Sequence, residues 1–85
     1  YSLSPAYPNP FNPVTNIEFA LPEDIKVLLE VYDINGRKVT TLVDGFTEKG
    51  YHSLRWDATY YSSGIYFVKM ISNEYVNTQK IMLLK

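Results

Sequence analysis

The sequence predicts an all-β fold, an antiparallel sandwich of six to seven short strands. Three observations carry that reading. Apolar residues alternate with polar ones along short runs, and no stretch sustains the period of about 3.6 residues that marks an amphipathic helix. Turn-forming pairs (Asn35-Gly36, Asp44-Gly45, Lys49-Gly50, Asn73-Glu74) punctuate those runs. Eight tyrosines, four phenylalanines and one tryptophan supply rings that pack well on a pleated surface.

The elements follow in order. Tyr1 to Pro13 holds four of the five prolines, and each one biases its predecessor toward extended geometry. The segment reads as polyproline-like, and its rings Tyr7 and Phe11 predict that it docks on the domain. This divides the chain into a proline-rich opening, 1–13, and a β-sandwich, 14–85. In the first strand, Ile17, Phe19 and Leu21 share one face and Pro22-Glu23-Asp24 end it. In the next, Val27, Leu29 and Val31 face one way; Leu28, Glu30 and Tyr32 face the other, which is only partly polar.

Asp33-Ile34-Asn35-Gly36 is the strongest turn signal. Asn35-Gly36 could centre a type I′ turn; the preferred alternative is a type I turn begun by Asp33 with Gly36 left-handed in a G1 bulge. Either returns Arg37 to Val43 antiparallel. Asp44-Gly45 and Lys49-Gly50 then bracket an expected loop. Tyr51 to Trp56 places His52, Leu54 and Trp56 on one face, predicted to be core. Gly64 opens an almost wholly apolar strand, Ile65 to Ile71, and Tyr75 to Leu84 form the last one. Hairpins are expected to connect these strands.

Eighty-five residues make one small domain, and 46% hydrophobic content is far from the disordered regime. The net charge of −1, with no basic run, argues against a nucleic-acid partner. There is no cysteine, which excludes thiolate metal sites, and no apolar run reaches the roughly 20 residues of a membrane-spanning helix. The chain starts at Tyr1 and shows no signal peptide, so it reads as a piece of something larger.

Catalysis needs a base near a nucleophile, or facing carboxylates. His52, the only histidine, falls in step with Leu54 and Trp56 as a packing residue. Asp33, Asp44 and Asp57 adjoin turns, and no acidic cluster has calcium-loop spacing. Neither an enzyme nor a cofactor is expected. Tyr51, Tyr60, Tyr61 and Tyr75 could form a sugar platform, although rim packing is the simpler role for such rings. The tail Ile81-Met82-Leu83-Leu84 is apolar on both faces, so it is either a central strand or a docking element beside an unpaired edge.

Six motifs in order, Tyr7-Pro8-Asn9-Pro10-Phe11-Asn12-Pro13, Ile17-Glu18-Phe19-Ala20-Leu21-Pro22, Val31 to Val39, Trp56-Asp57, Ser63-Gly64-Ile65-Tyr66-Phe67-Val68-Lys69-Met70 and Lys80-Ile81-Met82-Leu83-Leu84-Lys85, resemble the type A C-terminal sorting domain of the type IX secretion system. One departure is the Trp56-to-Gly64 connection, which lacks the glycine that often follows Trp-Asp in relatives. The resemblance implies an immunoglobulin-like sandwich at the end of a secreted protein of the Bacteroidetes or related phyla. It also implies an outer-membrane translocon and a sortase-like signal peptidase as partners, an upstream cargo, and a cell-surface or extracellular destination. Carried over residue by residue, the recognition positions are Gly64, Tyr66, Lys80, Ile81, Met82, Leu83, Leu84 and Lys85. Trp56-Asp57 with Ser63-Gly64-Ile65-Tyr66 also resembles the immunoglobulin-like domain of flagellar hook-capping proteins, which would make the chain an accessory module.

Overall fold

The computed structural model describes residues 1–85 and contains strands without a helix: β1 Ser2–Leu3, β2 Val14–Leu21, β3 Ile25–Asp33, β4 Lys38–Thr47, β5 Gly50–Asp57, β6 Gly64–Ser72 and β7 Tyr75–Leu83. They form two antiparallel sheets, ordered β1-β2-β5 and β4-β3-β6-β7. Alternation explains the core between them. Ile17, Phe19 and Leu21 of β2 meet Val27, Leu29 and Val31 of β3, Val68 and Met70 of β6, and Ile81 and Leu83 of β7 in one buried cluster. Each such side chain contributes about 1.5–3 kcal/mol by leaving water. The buried hydroxyls are satisfied: Thr15 Oγ1 donates to Pro8 O at 2.8 Å and Ser72 Oγ to Lys26 O at 3.1 Å.

The β3–β4 turn takes the G1-bulge form. Gly36 N donates to Asp33 O at 3.0 Å, the Asp33 carboxylate accepts from Asn35 N and Arg37 N, and Gly36 has φ +80°. A Cβ there would force an L-residue into left-handed geometry.

Four expectations need correction. Asp44-Gly45 opens no loop: β4 runs on through Thr47, with Gly45 opposite Val27 and Phe46 opposite Lys26, because a continued ladder outweighs local turn propensity. Hairpins join only β3–β4 and β6–β7; β2 pairs with β5 instead of β3, since its apolar face and that of β3 must oppose each other from different sheets. His52 and Leu54 are half-buried rather than core, because β5 lies at the edge of the narrower sheet. The opening segment is not a free polyproline helix, whose backbone would be unpaired; its backbone pairs with β2 and β7. The Tyr7-Pro8, Asn9-Pro10 and Asn12-Pro13 bonds are cis.

Candidate functional site

The outer edge of β7 would be a sheet edge if residues 4–11 did not cover it. Phe11 lies parallel to β7; its N–H donates to Met82 O at 2.9 Å and its carbonyl accepts from Leu84 N at 3.0 Å. Two residues earlier, the Asn9 side chain acts as a surrogate peptide. Its Nδ2 donates to Lys80 O at 3.1 Å, and its Oδ1 accepts from Met82 N at 3.0 Å. Farther along, Gln79 reaches back: Nε2 donates to Ser4 O at 2.6 Å and Oε1 accepts from Ala6 N at 2.7 Å. The edge groups that an isolated tail would leave open are therefore bonded within the domain.

The same end of the sandwich gathers the other motifs. Phe11, almost fully buried, packs on Trp56 with ring centroids 5.6 Å apart, and Trp56 lies 5.6 Å from both Tyr61 and Tyr66. Ala58, directly after Trp56-Asp57, is fully buried and its N–H donates to Pro13 O at 2.8 Å. Gly64, at φ +152°, pairs with Leu83, and Tyr66 pairs with Asp33 at the β3–β4 turn. The Tyr66 hydroxyl donates to Ser62 O at 2.6 Å, the back-reaching bond of a tyrosine corner. Burial raises the Tyr66 phenol pKa, with smaller contributions from Asp33 and Tyr61. Lys85 N donates to Ser63 Oγ at 3.0 Å, and Lys85 Nζ donates to Thr59 O. The Asp57 carboxylate accepts from the Thr59 hydroxyl and N–H, and these bonds lower its pKa.

Among the residues carried over by resemblance, the structure places Tyr66, Ile81 and Leu83 in the core. Gly64 and Met82 are half-buried, and Lys80, Leu84 and Lys85 are exposed. Asn9, reaching β7 from the opening segment, and Gln79, reaching the opening segment from β7, fasten the two together, yet sequence reasoning passed over both as candidate residues. The only signal for Asn9 was its place between two prolines, in a segment with two ring side chains.

No group of three or more histidine, aspartate or glutamate side chains comes together. The His52 ring stacks on Phe19 at 5.1 Å and its Nε2 lies 2.6 Å from Glu48 O. The four tyrosines considered for sugar do not share a surface. Tyr61 packs on Trp56 and Tyr75 stacks on Tyr1 at 5.6 Å. Tyr51 and Tyr60 are both open, but Tyr51 lies at the start of β5 and Tyr60 beyond its far end, with about 20 Å of strand between Tyr51 and Asp57.

This arrangement, with the Pro-Asn-Pro-Phe opening fastened to the terminal strand, lies within a stretch that matches a known family. A family described as "Secretion system C-terminal sorting domain" matches residues 5–84. The chain belongs to that family. The domain is a C-terminal sorting signal for secretion by the type IX system. No curated protein matches the sorting domain. A solved structure of PorZ from Porphyromonas gingivalis, described as an essential bacterial surface component of the type-IX secretion system, is similar with a TM-score of 0.67 and 21% identity. The match covers 94% of the sorting domain and 11% of the PorZ chain, and it supports the sandwich fold.

Proposed function

We propose that this sorting domain acts as a folded label, read on the periplasmic side by an outer-membrane translocon that carries an upstream cargo to the cell surface. A sortase-like signal peptidase then acts at the surface on the junction with the cargo. The observation that supports this reading most is the fastening of the opening segment to β7. It leaves one ordered end on which Gly64, Lys80, Met82, Leu84 and Lys85 remain accessible in part or in full. Tyr66, Ile81 and Leu83 serve recognition indirectly, by holding that end in shape.

The test trims Leu84 and Lys85 from a reporter fused upstream of the domain. Only the Leu84–Phe11 backbone bond and the Lys85 contacts to Ser63 and Thr59 are lost, so circular dichroism and thermal melting are expected to show a retained sandwich. The trimmed reporter is expected to accumulate in the periplasm of a competent host while the intact one reaches the surface. Unchanged export of the trimmed, folded protein would refute a role of Leu84 and Lys85 in recognition, with the intact domain still exporting.

A further inference from the structure

The bonds along β7 exclude one way of reading the tail. Strand addition needs a run of free edge N–H and C=O groups, and Lys80 O, Met82 N, Met82 O and Leu84 N are bonded to Asn9 and Phe11. The inward side chains Ile81 and Leu83 are out of reach. What remains of the terminal strand is its outward face, Lys80 and Met82. Register continues that face across the sheet, with Lys80 beside Phe67, Phe67 beside Tyr32, and Lys69 beside Thr78.

On this face a depression of about 270 Å³ lies between the β3–β4 turn and β6, lined in part by Tyr32, Ile34, Phe67 and Lys69. Ile34, at the turn tip, is 68% exposed and adds an apolar side chain to the rim of the depression. The carboxylates nearby are committed. Asp33 accepts from its own turn, while Glu30 accepts from the Tyr32 hydroxyl and pairs with Lys38 at 3.2 Å, the only salt bridge in the domain. Neither Lys69 nor Lys80 closes a salt bridge, although Lys69 lies opposite Glu30 in register and its charge is felt there.

Building on the sorting proposal, we infer that this depression is the docking point, and that it receives an apolar side chain of a partner protein whose flanking carboxylates meet Lys69 and Lys80. An apolar centre flanked by two lysines that close no salt bridge, with Glu30 already engaged by Tyr32 and Lys38, calls for that complement. A lipid surface fits less well, because electrostatic adsorption draws on clusters of about four to eight basic residues, and this domain carries a net charge of −1. The terminal motif then acts through side chains, with Lys80 beside Phe67 of the depression, Met82 farther along the same face opposite Ile65, and the opening segment keeping their strand in place.

The test uses the upstream reporter in a type IX host, with four variants whose fold is checked by thermal melting. Phe67→Ser and the pair Lys69→Glu/Lys80→Glu are expected to lower the exported fraction by about tenfold, the effect of losing one anchor in an interface centre. Lys69→Arg/Lys80→Arg keeps the charge and is expected to export normally. So is Lys49→Glu/Arg55→Glu, an equal reversal at exposed positions outside this face. Export of both patch variants at the wild-type level, with the intact domain exporting, would overturn the docking point and leave sorting standing. An intact domain that exports nothing would overturn both. Two measurements on the purified domain address other occupants: sedimentation for self-association, and pelleting with phosphatidylglycerol–phosphatidylcholine vesicles. A dimer or a vesicle complex that Phe67→Ser abolishes would overturn the partner-protein assignment in favour of a second copy or a lipid surface.

Discussion

At the scale of single residues, three positions carry distinct physical loads. Trp56 is 5% exposed and touches rings from the opening segment, the β5–β6 connection and β6. Trp56→Ala is expected to cost about 3–5 kcal/mol, a large part of the stability of a domain this size, and denaturant titration measures it. Gly36 acts through backbone conformation alone: no atom lies within 4 Å of an added Cβ, but φ is +80°. Gly36→Val is therefore expected to lose roughly 1–2 kcal/mol through conformation and not through a clash, and an unchanged denaturation midpoint would refute the left-handed assignment. Glu30 tests charge. The Tyr32 hydroxyl is the main cause that lowers its pKa, opposed by burial and assisted by Lys38. A carboxylate whose folded pKa lies below its unfolded one stabilises the fold above the unfolded value, and this is lost as pH falls through the folded value. The stability advantage of wild type over Glu30→Gln is expected to hold at neutral pH and to shrink as pH drops below about 4.3. Paired denaturation midpoints across that range check the sign.

At the scale of elements, the opening segment serves as the neighbour that β7 lacks. Asn9 presents one donor and one acceptor to the strand, the pattern of a peptide group, although it is itself exposed. Asn9→Ala is expected to cost about 1 kcal/mol and to speed hydrogen exchange at the Met82 amide, with the central β6 amide of Val68 unchanged. Asn9→Asp keeps the acceptor for Met82 N and loses the donor to Lys80 O, so protection at Met82 should largely survive. The other exposed edge of that sheet is handled differently. β4 carries irregularities between Leu29/Glu30 and Val31/Tyr32 in its register with β3, and bulges of this kind disfavour pairing with a further strand.

At the scale of the whole molecule, the two ends of the chain complete each other. Asn9 bonds groups that lie 71 and 73 residues away. The sandwich cannot close until the last strand is present. Removing Lys80 to Lys85 takes away the fully buried Ile81 and Leu83 as well as the partners of Asn9 and Phe11. Deleting two such core side chains costs about 2–5 kcal/mol each, against a typical total of about 5–15 kcal/mol. That truncation is expected to unfold the domain by circular dichroism, whereas loss of Leu84 and Lys85 alone is not. Export defects from the longer deletion would then report folding, and only the shorter one reports recognition.

The all-β class, the inward faces of β2 and β3, the Gly36 turn and the burial of Trp56 were legible from residues 17–64, because alternation and turn chemistry act over a few positions. Family membership was legible too, from the order of six short motifs. Three things required the tertiary structure. Sheet partners are set by which apolar faces oppose each other, so β2 with β5 could not be read locally. The continuation of β4 through Asp44-Gly45 depended on β3 supplying a ladder beside it. The tail had been open to two readings, a central strand or a docking element beside an unpaired edge, and its own residues serve both equally well. The structure gives neither as stated: β7 stands last in its sheet, and Asn9 and Phe11, from the opposite end of the chain, bond its edge groups, since hydrogen-bond satisfaction at an edge depends on what the fold brings beside it.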